Sequence, residues 1–413
     1  MQWSHEAKDE VFEKIELPEI GSLITPDKCM SIACSIALQG AGFVGLNPMV
    51  GAVAVDSKQR FLGAAAHKKY GKNHAEANLI QEIEGRNQQQ YLQGATIYCT
   101  LEPCSFFGKT PSCSVLLSKL GLNKVIFGKK DPNPKVNGKG VEILESAGIP
   151  CKQDPKFEKL SGELIEIFSF NQKNHLPFVG LKIASSLNGV VGLKSGKVLS
   201  ITGARAIRYA HWLRQVYDAI IVGADTIICD NPSLDMRNPA IRPSSNPHRF
   251  VLDPECRALF SRPWAKHKIG QIENAKLTWV VKQGEKRKIE SKRNLNKILD
   301  SIEVWEILGN DRQSNLNRLL HKMHGIGISS LLLEGGRKVW ASFLELQKVN
   351  RLHLFQSGDI LNSSQSIYWG DFLDGIAGVS IKNPTITPLQ EDWVIESEVC
   401  YGGDRNGAST SKI

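Results

Sequence analysis

Short apolar runs and amphipathic stretches alternate over the first 155 residues of the chain. The runs "MVGAVAVD" and "RFLGAAAH" are rich in Val and Ala and are separated by the turn-like "SKQ", which predicts a β-hairpin. "PDKCMSIACSIALQGAG" predicts a helix that begins after Pro26 and stops at a glycine, and the apolar spacing of "HAEANLIQEI" predicts a second. Helices are also predicted in "SCSVLLSKLG" and in "KGVEILESAGIP", which closes at Gly148. The segments "ATIYCTLEP" and "KVIFGKKD" are typical of strands. A hairpin followed by alternating helices and strands predicts a three-layer α/β domain.

The alternation resumes after residues 156–177, where the pattern predicts a helix and a short linker. Strands are predicted in "DAIIVGADTIICDNP", "HRFVLD", "KLTWVVK", "IEVWEIL" and "SSLLLEGG", and helices in "ARAIRYAHWLRQ" and "GRKVWASFLELQ". We therefore expect two α/β domains. The boundaries are an extension over 1–25, a first domain over 26–155, a linker over 156–177, a second domain over 178–400 and a tail over 401–413.

Composition narrows the class of protein. The 413 residues are 41% hydrophobic and 23% charged, and the formal net charge is +9. Lys and Arg are spread along the chain, which disfavours a nucleic-acid partner and suits an anionic small molecule. No apolar run is long enough to span a membrane, and the N-terminus lacks the pattern of a signal peptide. Nine cysteines without a disulfide-type spacing predict a cytoplasmic protein with reduced thiols, in which clusters of Cys and His favour metal binding.

One set of residues has the composition of a catalytic zinc site. His74 opens a predicted helix, and Cys104 and Cys113 follow in "LEPCSFFGKTPSC". Catalytic zinc takes three protein ligands and leaves a fourth position for water, whose pKa it lowers toward about 7. Glu76, two residues from His74, is placed to pass a proton from that water to departing ammonia. Zinc deaminases carry this H-x-E followed by P-C-x-x-C, although the second cysteine here is more distant. Two structural cysteines beside a surface His–Glu pair are the alternative.

Longer motifs around these residues resemble one enzyme family. "PCSFFGKTPSC" matches P-C-x-x-x-G-[RK]-T-P-x-C, "LNPMVGAVAV" is similar to P-N-P-x-V-G-A-V, and "DPNPKVNGKGVEILESAGI" matches a further block. The chain thus resembles the bifunctional riboflavin-biosynthesis enzymes, which deaminate and then reduce a ribosylated pyrimidine. The resemblance implies a cytidine-deaminase-like first domain in which Asn47 contacts the pyrimidine, while His67 and Lys109 approach the ribose phosphate. Phe106 stands where the family usually has a histidine, so one donor to the phosphate is lost.

The second half carries the motifs of the same family's reductase domain. "LKIASSLNG", "LSITG", "LRQVYDAIIVGADTIICDNPSLDMR" and "LLLEGG" resemble K-x-A-x-S-L-D-G, W-I-T-G, L-R…D-A-I-L-V-G…T…D-[DN]-P-x-L-T-x-R and E-G-G. The resemblance implies a dihydrofolate-reductase-like α/β domain that binds NADPH. It places Ser185, Ser200, Thr226, Asp230, Gly335 and Gly336 at the cofactor, and Lys182, Arg214, Leu234, Arg237 and Glu334 at the substrate.

This half departs from the family motifs at several positions. Asn188 replaces an aspartate, Ser200 a tryptophan that would pack on the cofactor, and Asp235 a threonine near the expected phosphate. After "LHLFQSG" the usual P-K-L-x-G strand is not recognisable. Hydride transfer depends mainly on the alignment of cofactor and substrate, so these changes bear on NADPH affinity rather than on a missing acid or base.

The expected function is riboflavin biosynthesis. A zinc-dependent hydrolysis would deaminate 2,5-diamino-6-(5-phosphoribosylamino)pyrimidin-4(3H)-one, and an NADPH-dependent reduction would convert its ribose to a ribityl chain. The alternatives are a deaminase for this or a related phosphoribosyl pyrimidine with an inactive or retuned second domain, and a non-catalytic zinc-stabilised assembly protein. A polynucleotide deaminase is disfavoured by the scattered positive charge. The resemblance also allows a homo-oligomer, with no nucleic-acid or membrane partner.

Overall fold

The computed structural model describes residues 16–105, 112–134, 136–195, 199–236, 246–272, 275–291, 302–309, 311–372, 376 and 378–402. Two compact units divide the chain between Leu176 and Pro177. The first 15 residues of the expected extension and residues 403–413 of the expected tail lie outside the described residues. Among the residues that are described, none of the helices has the length and apolar character needed to cross a membrane.

A five-stranded sheet forms the centre of the first unit. Its strands are β1 (Gly51–Val55), β2 (Phe61–Ala66), β3 (Thr96–Leu101), β4 (Lys124–Lys129) and β5 (Cys151–Gln153). They lie in the order β2-β1-β3-β4-β5, and β1 and β2 form the antiparallel hairpin that the sequence predicts. β3, β4 and β5 are parallel to one another. Every residue of β1, β2 and β3 is buried, as expected for a sheet covered on both faces.

Helices cover both faces of this sheet. They are α1 (Pro26–Ala37), α2 (Ala75–Gly85), α3 (Cys113–Leu117), α4 (Lys139–Ser146), α5 (Glu158–Leu164) and α6 (Glu166–Asn174). A Cβ on Gly51 would lie 2.0 Å from the carbonyl oxygen of Ala33, so α1 packs directly on the backbone of β1. Gly63 faces Leu79 and Ile83 of α2 on the other side. α5 and α6 occupy most of 156–177, the range in which we expected a helix and a linker, and they belong to the first unit.

The second unit is built on a larger sheet with a parallel centre. Its strands are β6 (Phe178–Ser185), β7 (Val190–Leu193), β8 (Ala219–Gly223), β9 (His248–Leu252), β10 (Leu277–Lys282), β11 (Glu303–Leu308), β12 (Ser330–Gly335), β13 (Arg351–Ser357), β14 (Ser366–Tyr368), β15 (Val379–Leu389) and β16 (Asp392–Tyr401). Nine of them lie in the order β11-β10-β9-β8-β12-β6-β13-β16-β15, and β7 pairs with β14 in a separate two-stranded sheet. The strands from β11 to β13 are parallel in that order, whereas β16 and β15 are antiparallel.

The helices that accompany this sheet in the described part of the unit are α7 (Ala204–Val216), α8 (Ala224–Asp230), α9 (Glu285–Ser291), α10 (Arg312–Gly325) and α11 (Arg337–Glu345). β8 and β12 are parallel neighbours, so their carboxyl ends meet at one edge of the sheet. Helices begin directly after both strands, with Gly223 and Gly336 as their N-caps. In open α/β sheets this edge is where ligands bind. The architecture of both units confirms the predicted α/β class.

Candidate functional site

Three side chains of the first unit converge with the spacing of a metal site. His74 Nδ1 lies 3.4 Å from the Sγ atom of Cys104 and 3.4 Å from that of Cys113. The three ligand atoms all lie within 4.8 Å of one another. Zn–S bonds of about 2.3 Å and Zn–N bonds of about 2.0 Å at a tetrahedral angle place N and S about 3.5 Å apart. The described residues therefore fit a zinc ion that keeps a position open for a fourth ligand.

The local sequence explains why the two cysteines meet. Pro103 follows β3 and ends its hydrogen-bonding pattern, so the chain turns just before Cys104. The carbonyl oxygen of Cys104 then accepts from Ser112 Oγ at 2.9 Å and from Ser114 Oγ at 3.0 Å. Ser112 Oγ also accepts from the backbone N–H of Val115 and caps α3. These short polar side chains hold the first cysteine against the helix that begins with the second.

The sulfur of Cys104 lies in a setting that favours a thiolate. It accepts from the backbone N–H of Cys113 at 3.3 Å, at the N-terminus of α3. Hydrogen bonds from the Cys113 thiol and from His74 lower the pKa of the Cys104 thiol to about 4, against the opposing effect of burial. A deprotonated sulfur is the form that coordinates a metal.

Glu76 is buried beside the three ligands in the first turn of α2, with 3% of its surface exposed. Burial raises the pKa of the Glu76 carboxyl, and the charge of the Cys104 thiolate raises it further. A carboxyl whose pKa moves toward neutrality can both accept and release a proton, which is what a proton shuttle needs.

Asn47 and His67 form a pair at the rim of the metal site. Asn47 Nδ2 is 3.0 Å from His67 Nε2, and His67 Nδ1 is 2.8 Å from the carbonyl oxygen of Asn73. His67 therefore donates through Nδ1–H to Asn73 and accepts from Asn47 through Nε2. Burial lowers the pKa of His67, so its ring is neutral near pH 7. The ring stands edge-on to that of His74, with 5.3 Å between the ring centroids. Lys109 and Phe106 lie outside the described residues.

A cleft of about 680 Å³ in the second unit gathers seven of the residues that the family motifs assign to substrate or cofactor. They are Lys182, Ser200, Thr226, Asp230, Glu334, Gly335 and Gly336. Ser185, Arg214 and Leu234 are not among the residues that line it. Ser185 and Leu234 are buried, and Leu234 has a left-handed backbone with φ +54°. Arg237 lies outside the described residues.

Arg214 lies behind this cleft and holds one of its acidic residues. Its Nε and Nη2 atoms contact the two carboxylate oxygens of Glu334 at 2.5 and 2.7 Å, and its Nη1 donates to the carbonyl oxygen of Asp235 at 2.9 Å. Burial raises the pKa of Glu334, but the charge of Arg214 and then that of Lys182 outweigh it, so the net pKa is lowered. Burial in turn lowers the pKa of Lys182. The cleft thus presents an ionised carboxylate next to a desolvated amine.

Gly335 ends β12 and Gly336 caps the N-terminus of α11, so the backbone between the strand and the helix carries no side chains. A Cβ at Gly335 would lie 2.7 Å from Thr226 Oγ1, and Gly336 has φ +91°, which side chains rarely adopt. A second cleft of about 660 Å³ shares Asp225, Gly336 and Lys338 with the first. Two adjoining clefts with bare backbone between them suit an extended anionic cofactor.

The family motifs did not single out several residues that line the first cleft. Val191, Gly192 and Leu193 of β7 and Ile367 of β14 form part of its wall. β14 follows the segment in which no family motif is recognisable, so no local signal in the sequence indicates its position. Lys338 and Asp225, which border both clefts, were also missed. Lys338 directly follows the E-G-G-R run, and this position in the sequence could have indicated that it lies near the cofactor cleft.

Family models match both halves of the chain. The cytidine and deoxycytidylate deaminase zinc-binding region matches residues 24–129, and the RibD C-terminal domain matches residues 177–366. Riboflavin biosynthesis protein RibD of Aquifex aeolicus is 32% identical over 375 residues, which cover 89% of this chain and 96% of that protein. The RibD protein of Actinobacillus pleuropneumoniae is 33% identical, over 82% of this chain and 85% of the relative.

Solved structures agree with these matches. Acinetobacter baumannii RibD, form 1, has a TM-score of 0.73 at 28% identity, covering 90% of this chain and 98% of that one. A diaminohydroxyphosphoribosylaminopyrimidine deaminase/5-amino-6-(5-phosphoribosylamino)uracil reductase from Thermotoga maritima has a TM-score of 0.73 at 29% identity, over 91% and 98%. The expected pair of folds is thereby confirmed. The chain belongs to the RibD family of riboflavin-biosynthesis enzymes, in which a zinc-binding deaminase domain precedes a reductase domain.

Proposed function

We propose that this chain carries out two successive steps on one phosphoribosyl pyrimidine. The first removes the 2-amino group of 2,5-diamino-6-(5-phosphoribosylamino)pyrimidin-4(3H)-one as ammonia, and the second reduces the ribose of the product to a ribityl chain. The observation that carries the proposal is the three-ligand site with Glu76 buried beside it. A structural zinc would have four protein ligands and no need of that carboxyl.

In the deamination, His74, Cys104 and Cys113 would hold the zinc ion. When bound, zinc supplies a Lewis acid that lowers the pKa of water. Glu76 would take the proton released by that water and deliver it to the departing amino group. Its burial supports this role, because bulk solvent cannot compete for the proton.

Asn47 would orient the pyrimidine. Its Nδ2 is already committed to His67 Nε2, so its Oδ1 faces the opposite way and can accept from a ring N–H. The bond from His67 Nδ1 to the carbonyl of Asn73 fixes the tautomer that makes this arrangement possible. In this arrangement His67 acts as a neutral positioning group. We propose that Lys109 supplies positive charge to the ribose phosphate.

In the reduction, NADPH when bound would be the source of the hydride that the sugar accepts at C1′. Lys182 and Glu334 line the same cleft, and Arg214 keeps the Glu334 carboxylate ionised and oriented from behind. Lys182, with its lowered pKa, can hold or release a proton near the ribose oxygen as the ring opens. Ser185 and Leu234 are buried and do not line the cleft, so they would shape the site indirectly. We propose that Arg237 meets the substrate.

The cofactor would extend over both clefts. Gly335 and Gly336 would bring backbone N–H groups to its diphosphate, with Thr226, Asp230 and Ser200 on the surrounding wall. Lys338 borders both clefts and adds a cation between them. The alternative of an idle second domain is disfavoured, since this cleft and its glycines are intact. The side chain of Asp235, the charge we expected near the phosphate, accepts a hydrogen bond from Ser233 Oγ.

The cellular setting follows from the thiols. None of the nine cysteines is part of a disulfide, and an exposed or half-buried thiol such as that of Cys229 or Cys400 persists in a reducing compartment. We therefore propose a cytoplasmic enzyme of small-molecule metabolism, without a nucleic-acid partner, that can form a homo-oligomer.

The test is an assay of the purified, zinc-loaded protein with the diamino substrate, following ammonia and NADPH separately. We expect ammonia without NADPH, and oxidation of NADPH only after deamination, with one equivalent of each per substrate. Release of no ammonia would refute the first step. Ammonia release without any NADPH oxidation would refute the second step and restore the idle-domain alternative.

A further inference from the structure

The turn between β6 and β7 lies against a segment that is far away in sequence. The backbone N–H of Leu187 donates to the carbonyl oxygen of Asp359 at 2.8 Å, and that of Trp369 donates to Gly189 at 3.0 Å. Lys194 N–H donates to the carbonyl oxygen of Gln365 at 2.8 Å, next to the pairing of β7 with β14. Residues 187–194, which we call the flap, are therefore held by backbone hydrogen bonds to residues 359–369.

The flap forms a wall of the reductase cleft. Val191, Gly192 and Leu193 line the cleft on the flap, and Ile367 lines it on the strand that holds the flap. Lys182 and Glu334 line the same cavity. Any outward movement of the flap would widen the cavity in which substrate and cofactor meet.

Asn188 connects the flap to residues 359–369 through both Nδ2 and Oδ1 of its carboxamide. Its Nδ2 donates to the carbonyl oxygen of Leu361 at 2.7 Å, and its Oδ1 accepts from the N–H of the same residue at 3.1 Å. Oδ1 also accepts from Ser186 Oγ at 2.7 Å, and that hydroxyl accepts from Val190 N–H at 2.9 Å. The side chain thus completes the turn and pairs with the backbone of Leu361 as a neighbouring strand would.

A carboxamide can make both bonds of this pair, whereas an ionised carboxylate cannot. An ionised aspartate has acceptors and no donor, so one of its oxygens would face the Leu361 carbonyl oxygen without a proton between them. Asn188 stands where the family motif has aspartate, and Leu361 lies where the family's P-K-L-x-G is not recognisable. The two departures from the family motifs are thus in direct contact.

We propose that Asn188 is a positioning residue that latches the flap onto residues 359–369 and thereby sets the affinity of the reductase cleft for NADPH. The proposal rests on the proposed reductase function. On this proposal, the replacement of the motif's aspartate by Asn188 contributes to cofactor binding. The proposal requires that residues 359–369 also differ from the family pattern.

The first measurement is amide hydrogen exchange in the full-length protein without NADPH, comparing wild type with Asn188→Asp and Asn188→Ala. A net contribution of one hydrogen bond corresponds to about fivefold in an opening equilibrium. We expect the amides of Leu187 and Lys194 to exchange about fivefold faster in both variants. Asn174→Asp is the matched control, because Asn174 Nδ2 also donates to a carbonyl oxygen, that of Phe170 at 2.9 Å, in the first unit. Unchanged exchange at Leu187 and Lys194 would overturn the latch.

The second measurement is NADPH binding and steady-state kinetics with the deaminated substrate. We expect the Kd and KM for NADPH to rise about fivefold in Asn188→Asp, with kcat at saturating NADPH and the rate of ammonia release unchanged. General damage to the fold would lower kcat and deamination together and would overturn the positioning role, as would faster flap exchange with an unaltered Kd. Wild-type protein that binds no NADPH would instead refute the proposed function, whereas the exchange data would still decide whether Asn188 holds the flap.

Discussion

Arg214 and Glu334 form a two-pronged ion pair, with Nε–Oε1 at 2.5 Å and Nη2–Oε2 at 2.7 Å, although 120 residues separate them in sequence. Their side chains are 14% and 6% exposed. Arg214 lies on α7 and Glu334 on β12, so the pair joins a helix to the sheet directly beneath the reductase cleft. The guanidinium fork matches the carboxylate geometry, as is typical of strong buried pairs.

Removing one partner of this pair should destabilise the second unit strongly. Arg214→Met would leave the Glu334 carboxylate buried without its counter-charge, and such losses cost about 3–5 kcal/mol in free energy of unfolding. Urea unfolding followed by a probe in the second unit measures the change. The double variant Arg214→Met/Glu334→Leu should recover much of the stability, since neither charge of the pair is left buried without the other. A single variant as stable as wild type would show that the pair contributes nothing.

The same pair should make the second unit sensitive to acid. The folded-state pKa of Glu334 is lowered because Arg214 outweighs the effect of burial. A carboxyl with a lowered pKa stabilises the fold above its unfolded value of about 4.3, and this contribution disappears as the pH falls through the lower folded value. The difference in unfolding free energy between wild type and Glu334→Gln should therefore be constant near neutral pH and shrink below about pH 4. A difference that does not change with pH would contradict this assignment.

The metal site could be predicted from the sequence, because the chemistry of its ligands is carried by short local motifs. His74 opens a helix, Cys104 follows a strand that ends at proline, and Cys113 opens the next helix. Each placement depends on neighbours within a few residues. The predicted roles of Lys109 and Arg237 stay predictions, since both residues lie outside the described residues.

The contacts that hold the residues of the reductase cleft in place could not be predicted in the same way. Motifs assigned Arg214 and Glu334 separately to the substrate, whereas they bond to each other. Asn188 was noted only as a departure, and its partner Leu361 is 173 residues away. Such contacts depend on which strands become neighbours in the sheet, and a local pattern of apolar and polar residues does not contain that order.

Replacing Glu76 by glutamine should separate zinc binding from deamination. The carboxamide has nearly the same shape but cannot accept the proton, and a positioned acid–base group contributes about 10²–10⁴ in rate. Ammonia release should fall by at least about 100-fold while the zinc content, measured by elemental analysis, stays at the wild-type level. Reduction of an already deaminated substrate should be unaffected.

Glu82→Gln is the matched control for this experiment. Glu82 lies on the same helix, and its carboxylate is 3.9 Å from the exposed Lys68 Nζ, a contact that contributes little to stability. This variant should release ammonia at the wild-type rate. Equal loss in both variants would point to damage of α2, and full activity in Glu76→Gln would remove Glu76 from the proton transfer.

Replacing Gly335 by alanine should create a steric clash between β12 and α8. The added Cβ would lie 2.7 Å from Thr226 Oγ1 and 2.8 Å from its Cγ2, and a β-branched side chain has few other rotamers to adopt. We expect Gly335→Ala to cost about 1–3 kcal/mol in unfolding free energy. NADPH affinity should fall by more than tenfold, because the backbone next to the cofactor must shift.

Two further variants isolate the steric cause. A Cβ at Gly325, at the end of α10, would meet no atom within 4 Å, so Gly325→Ala should leave both stability and NADPH binding near the wild-type values. In Gly335→Ala/Thr226→Ala the close atoms Oγ1 and Cγ2 are gone, and the nearest remaining contact is Thr226 Cβ at 3.3 Å. Stability should therefore return in the double variant. If it does not, the cost at Gly335 arises from the backbone itself and not from the clash with Thr226.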